Sequence, residues 1–408
     1  MRASAFAELS EEASKKNVKA CAASNMAKCW DDIDFKKTEY NIRKLQMRIA
    51  KAYLDGACGK VGVLQNRLIH SSEAKALAVK TVTHKKGKNT PGVDDILWTT
   101  PEDKWNAIFD LRRRGYKPSP LKRIYIPKPD GKKRPLSIPT MKDRAMQTLY
   151  KYALEPIAEI TADPHSYGFR NGKSTRDALN RCVEVLSKHP QNAWVLEADI
   201  EGCFDNISHD WVIEHIPMDK LILRKFLESG FLEQGNWNPT KRGLPQGGCI
   251  STVVCNMVLD GLEKELETAC NSHVHFIRYA DDFIVISASK ELLEQSAMPT
   301  ISSFLAERGL QLSVKKTAIT HIENGFDYLG WNVRRDGEPI FVEPSKKNLN
   351  SFLDKIRNTV KRNPHTTYEH RFAVSTPIIV GWVNYHRDVI TSSSLCRASY
   401  ALVSCLEE

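Results

Sequence analysis

Two aspartates stand side by side in a run that is otherwise mostly apolar, "HFIRYADDFIVI" from His275 to Ile286. An ionised carboxylate in apolar surroundings is costly unless a positive partner sits on it. Whatever fold this chain adopts must therefore bring positive charge to Asp281 and Asp282. The flanking Phe, Ile, Val and Tyr residues favour strands, and the run reads as a hairpin with Ala-Asp-Asp at its turn. Successive side chains of a strand point to opposite faces. Asp281 and Asp282 thus cannot form one clamp if both are extended, and a further carboxylate is needed. Asp199, at the end of the buried strand "WVLEADI", is the obvious supplier. Mg²⁺ takes oxygen ligands from one or two carboxylates together with substrate phosphates, and a pair of such ions suits nucleotidyl transfer. Taken alone, Tyr-x-Asp-Asp is more often an ordinary acidic turn, so the surrounding sequence has to decide.

The surroundings are cationic. Lys+Arg of 59 against Asp+Glu of 49 gives a net charge of +10 over 408 residues, which favours a polyanionic partner or, more blandly, a solubilising basic surface. From Arg112 to Lys151 the basic residues are answered only by Asp130 and Asp143. Inside that stretch "RIYIPKPDGKKRPLSIP" reads as two short strands around a Pro-Asp-Gly turn, a hairpin suited to gripping phosphate. The ten cysteines include no Cys-x-x-Cys pair, which argues against a zinc site. No secretory signal and no apolar run of membrane-spanning length is visible. The expected setting is a reduced cytoplasm with no membrane contact.

The organisation is that of an α+β chain. Residues 1–30 read as a mobile tail. A helix follows with Ile42, Leu45, Ile49 and Tyr53 on one face, and "THKKGKNTPGVDD" (Thr83 to Asp95) reads as a basic loop. Further expectations are a helix around Leu292 to Arg308, a strand near Leu310 to Val314, and a basic helical end from Ser345.

The chain resembles the reverse transcriptases encoded by bacterial group II introns, from about Asp31 to about Ser393. The resemblance rests on "TPGVDD", "YIPKPDGKKRPLSIPT", "DPHSYGFRNGKST", "LEADIEGCFDNISHDWV", "GLPQGGCIS", "RYADDF", "GLQLSVKKT", "FDYLGW" and "GWVNYH", in that order. It implies a right-hand polymerase with an N-terminal basic extension at 31–110, fingers and palm at 111–340, and a helical thumb with a shortened maturase region at 341–408. Asp199, Asp281 and Asp282 would be the catalytic carboxylates, with Asp282 the least direct metal ligand and Ile200 counted among the metal-binding positions. Two Mg²⁺ ions are implied, with Mn²⁺ as a substitute. Lys128 and Arg134 would grip the triphosphate of a dNTP, and Phe204 would lie under its sugar and exclude a 2′-hydroxyl. Gln246 and Gly247 would line the template, and Lys316 would protonate the pyrophosphate leaving group. Tyr328, Leu329, Gly330 and Trp331 match the primer grip, although core packing is an equal reading for them. The implied partners are an RNA template, a structured intron or non-coding RNA, and a DNA primer.

The sequence also departs from that family. Leu244, Cys249 and Thr252 stand where Thr, Ile and Pro are usual, and the chain ends 22 residues after His386. Polymerisation is expected to survive, whereas splicing and DNA cleavage are in doubt. Two other readings follow: a domesticated reverse transcriptase in antiviral defence, and an RNA-binding splicing cofactor without catalysis. The three carboxylates argue against the second.

The basic C-terminal helix generates a test. Charge reversal at Lys355, Arg357 and Lys361 is expected to weaken RNA binding whatever the RNA sequence, each lost phosphate contact lowering the log–log salt slope by about 0.7 on a single strand. An unchanged slope would make that helix a merely solvated face.

Overall fold

The computed structural model describes residues 27–127, 131, 133–362, 366–389, 399, 400 and 403. The expected tail, up to residue 26, and the candidate phosphate ligand Lys128 lie outside these residues. Trp30, read as the end of the tail, is buried and packs on Phe35 with ring centroids 5.2 Å apart.

Helices α1 (Phe35–Leu54), α2 (Cys58–His70), α3 (Ser72–His84) and α4 (Pro101–Asp110) open the fold. Asp34, Ser71 and Thr100 each accept a hydrogen bond from a backbone N–H of the turn they precede. Such caps satisfy donors that a helix start leaves open. The predicted stripe of α1 faces inward, Ile42 and Ile49 fully and Leu45 and Tyr53 in part. The basic loop after it is more ordered than its composition suggests, since Thr83 and His84 finish α3 and Lys86–Asn89 make a 3₁₀ turn.

The strands are β1 (Leu121–Pro127), β2 (Lys133–Ile138), β3 (Trp194–Asp199), β4 (Phe231–Glu233), β5 (Asn236–Asn238), β6 (Val274–Tyr279), β7 (Asp282–Ser287), β8 (Ala318–His321), β9 (Phe326–Tyr328), β10 (Trp331–Arg335) and β11 (Ile340–Pro344). They form sheets ordered β2-β1-β4-β5, β6-β7-β3-β8 and β11-β10-β9. The intervening helices are α5 (Met141–Thr161), α6 (Thr175–Lys188), α7 (Cys203–Asn206), α8 (His209–His215), α9 (Lys220–Leu227), α10 (Ser251–Leu259), α11 (Leu262–Ala269) and α12 (Met298–Glu307). A helical pair, α13 (Lys346–Lys361) and α14 (Tyr368–His386), closes the described chain. Sheets and helices together are the expected α+β arrangement.

The sheet β6-β7-β3-β8 explains why β7, at its centre, is apolar on both faces after Asp282. Leu196, Ala198, Phe283 and Val285 enter a core shared with α5 and α10, while Val195, Ile284 and Ile286 enter a second core with α6. With both faces covered, β7 has no polar parity, and the carboxylates of Asp199, Asp281 and Asp282 sit at the strand ends.

The strand expected near Leu310 to Val314 does not form. That segment makes only an isolated bridge, Ile200 with Leu312, and Val314 is 90% exposed. The chain curls instead, with the N–H groups of Lys316 and Thr317 both donating to the Ser313 carbonyl at 3.0 Å. This curl returns Lys316 over the end of β3.

Candidate active site

Antiparallel pairing sets Asp199, the last residue of β3, directly opposite Asp282, the first of β7. Ala280 and Asp281 form the two-residue turn between β6 and β7. Three carboxylates from two sequence regions therefore meet at one sheet end. The Lys316 ammonium donates to Asp199 Oδ2 and so supplies part of the positive charge the site requires. That bond raises the ammonium's pKa. Burial raises the pKa of Asp281, and Asp199 pushes it further. Asp282 is pushed up to about 7 by burial and then by Asp199 and Asp281. Its side chain still meets water on the open side, which screens part of that push.

Like charges held this close invite a cation, and carboxylate oxygens are the ligands a hard divalent ion prefers. Among the described residues no three His, Cys, Asp or Glu side chains close into a metal cage. A Mg²⁺ ion does not need one, because it keeps waters and borrows substrate phosphates. The residues present fit a divalent ion on these terms. Ile200 can contribute only backbone, as its side chain is buried in the core.

The turn is supported from behind by residues that sequence reasoning missed. Ala280 has φ +59°, a left-handed conformation that costs an L-residue about 1–2 kcal/mol. Gly168 lies flush beneath it, where an added Cβ would stand 2.2 Å from the Ala280 nitrogen. The fully buried Arg278 guanidinium donates to the Ala280 carbonyl at 3.4 Å and to Asn256 Oδ1 at 3.3 Å, and it pairs with Asp260. Asn256 Nδ2 in turn donates to the Gly168 carbonyl at 2.8 Å. Burial raises the Asp260 carboxyl to about 7, and Arg278 opposes that rise. An arginine inside an apolar strand was the available signal.

Across the cleft, Arg134 Nε donates to Gln246 Oε1 at 2.8 Å, and Gln246 Nε2 donates to the Asp205 carboxylate at 3.0 and 3.1 Å. These three residues tie β2, the "PQGG" loop and α7 together beside a cleft of about 400 Å³ lined by Phe204, Asp205 and Gln246. Phe204 is half-buried and meets Phe169 edge to face, with centroids 6.2 Å apart. Asp205 and Phe169 were not singled out from sequence, although each lies inside a quoted block. Gly247 has φ +119°, and a Cβ there would meet the Ser137 carbonyl at 2.5 Å. The close approach it allows is that of β2. Tyr328 and Trp331 are 1% exposed, so their side chains are core and only the Leu329–Gly330 turn between them is open.

Comparison with known proteins covers most of the chain. The family model for reverse transcriptase (RNA-dependent DNA polymerase) matches residues 126–333. The N-terminal domain of reverse transcriptase matches 30–111, and the group II intron maturase-specific domain matches 349–406. Protein YkfC of Escherichia coli is 29% identical over 316 residues, 66% of this chain and 82% of that protein. Group II intron-encoded protein LtrA of Lactococcus lactis is 29% identical over 330 residues, 63% of this chain and only 54% of that protein. A solved structure of apo telomerase from Candida tropicalis aligns with a TM-score of 0.44 at 13% identity, covering 72% of this chain and 62% of that one. The intron-encoded relatives favour the polymerase and maturase reading over a defence enzyme or a non-catalytic RNA binder. No helix among the described residues is long and apolar enough to cross a membrane.

The raised carboxyl of Asp282 gives a pH dependence of known sign. An unfolded Asp titrates near ~3.9, whereas Asp282 titrates at about 7 in the fold. Its contribution to stability is full below the unfolded value and is lost as pH rises to the folded one. Asp282→Asn removes this titration. In chelator-containing buffer, the stability gained by the variant over the parent chain is expected to widen from about pH 4 to 7 and then level off, as read by urea unfolding. A difference flat with pH would contradict the carboxylate clustering.

Proposed function

The chain belongs to the reverse transcriptases, and from that premise we propose that it copies an RNA template into DNA from a DNA primer and dNTPs, in the manner of group II intron proteins. The observation that carries this reading is the meeting of Asp199, Asp281 and Asp282 at one sheet end with Lys316 on Asp199. Residues 31–110 serve as the basic extension, 111–340 as fingers and palm, and 341–408 as thumb and maturase region.

Divalent cations, Mg²⁺ first and Mn²⁺ as a substitute, supply charge neutralisation for the attacking and leaving oxygens when bound. Asp199 and Asp281 would hold them, with Asp282 and the Ile200 backbone in support. The primer 3′-hydroxyl gives its proton to solvent as its oxygen bonds to the α-phosphorus and the bond to pyrophosphate breaks. Lys316, already oriented by Asp199, gives its proton to the departing pyrophosphate oxygen. Arg134 leaves Gln246 to meet the triphosphate, which Lys128 also grips, because cationic groups stabilise the charge that develops there. Gln246 and Gly247 border the template, and Phe204 lies under the sugar. A structured RNA bound along the basic extension and the C-terminal helices fits both the net charge of +10 and the maturase-specific match. The cytoplasm is the compartment proposed for this work.

One experiment tests the reading, primer extension on an RNA template with dGTP and GTP compared. The unaltered chain is expected to extend with dGTP and reject GTP, and a folded Asp281→Ala variant to lose extension. Phe204→Val is expected to keep most dGTP use while the kcat/KM ratio for dGTP over GTP falls roughly a hundredfold, the equivalent of ~2.7 kcal/mol of steric clash. Extension by Asp281→Ala would remove the site assignment. A Phe204→Val ratio within about twofold of the parent chain would make Phe204 a core residue only.

A further inference from the structure

The turn between β9 and β10 has a conformation its sequence does not favour. Leu329 and Gly330 both have positive φ, +50° and +87°, as a two-residue hairpin turn requires, yet the first position normally takes Asn, Asp or Gly. A leucine persists in that conformation only where its surroundings over-determine it. Here they come from the C-terminal helices. Tyr385 Oη donates to the Leu329 carbonyl at 2.8 Å, and the Ser345 N–H donates to the Gly330 carbonyl at 3.0 Å. Asn348 fills the space beside Gly330, its Nδ2 lying 2.7 Å from where a Cβ would be.

These contacts are themselves fixed. Asn348 Oδ1 accepts from Trp382 Nε1 at 2.7 Å and from His386 Nε2 at 3.0 Å. Burial lowers the His386 pKa to about 4, so the ring is neutral and its one N–H is the one spent on Asn348. Trp331 stacks on Tyr385 at 4.5 Å with planes 8° apart. On its other side the hairpin touches the catalytic sheet, where Tyr328 Oη donates to the Ile277 carbonyl at 3.4 Å.

We propose that Tyr385 and Asn348 are positioning residues that hold the Leu329–Gly330 turn in its left-handed form against the primer strand. Through them, polynucleotide bound on α13 and α14 is coupled to placement of the primer end over Asp199 and Asp281. The inference rests on the polymerase reading, and it assigns neither residue a contact with reacting atoms.

Tyr385→Phe deletes the hydroxyl that holds the Leu329 carbonyl and also meets Thr175, and it keeps the ring stack on Trp331, so the fold should survive. Steady-state extension of a DNA primer on an RNA template is expected to show KM for the primer–template raised roughly fivefold to tenfold, with KM for dNTP and the rate at saturating primer unchanged. Thr175→Val, which removes only the other contact of that hydroxyl, should leave the primer KM at the parent value. Asn348→Ala should reproduce the split of Tyr385→Phe. A primer KM within about twofold of the parent value, an equal rise in dNTP KM, or a Thr175→Val primer KM raised as far as that of Tyr385→Phe would overturn the proposal. Failure of the unaltered chain to extend would remove the polymerase reading and this inference with it. Normal extension by both the unaltered chain and Tyr385→Phe would remove this inference alone.

Discussion

The antiparallel register of β3 and β7 is the constraint on which the site depends. Setting Asp199 opposite Asp282 concentrates three carboxylates at a sheet end whose two faces are otherwise sealed by apolar side chains. Burial, and then the repulsion among them, raises the proton affinity of Asp281 and Asp282 and makes this sheet end a sink for positive charge. Lys316 meets part of that demand. A slip by one residue would turn each carboxylate to the opposite face.

The strain introduced at this end is carried by groups buried behind it. Ala280 adopts its left-handed turn because Gly168 leaves room and Arg278 binds its carbonyl. Arg278 is tolerable inside the protein only because Asp260 and Asn256 receive it. Removing one partner of such a buried pair typically costs several kcal/mol, about 3–5. At the hairpin β9–β10, Leu329 repeats the pattern, with Tyr385 and Asn348 as the outside support. In both places a turn with a left-handed residue is fixed by residues distant in sequence.

What was legible in the sequence was local or periodic. The stripe of α1, the β6–β7 hairpin and the β1–β2 hairpin follow from apolar spacing and turn residues, and each is found where expected. The partnership of Asp199 with the Asp281–Asp282 pair was legible from charge, because bare carboxylates in apolar strands demand one another's metal or a cation. The region from Leu310 to Val314 misled for a physical reason. Its alternation is that of a strand, but its pairing with the end of β3 is limited to the bridge at Ile200 and the hydrogen bonds flanking it, and the chain then curls to carry Lys316 inward. The roles of Arg278, Asp205, Phe169, Asn348 and Tyr385 were illegible because each depends on a tertiary partner far along the chain.

The most direct measurement of the central claim is where a divalent cation sits. Fe²⁺ substituted into the protein with template and primer, then fired with ascorbate and peroxide, cuts the backbone beside the bound ion. Cleavage is expected near Asp199 and near the Asp281–Asp282 turn, suppressed by excess Mg²⁺ and absent from Asp281→Ala. Cleavage at other positions only, or cleavage at those two that persists in the variant, would contradict the account.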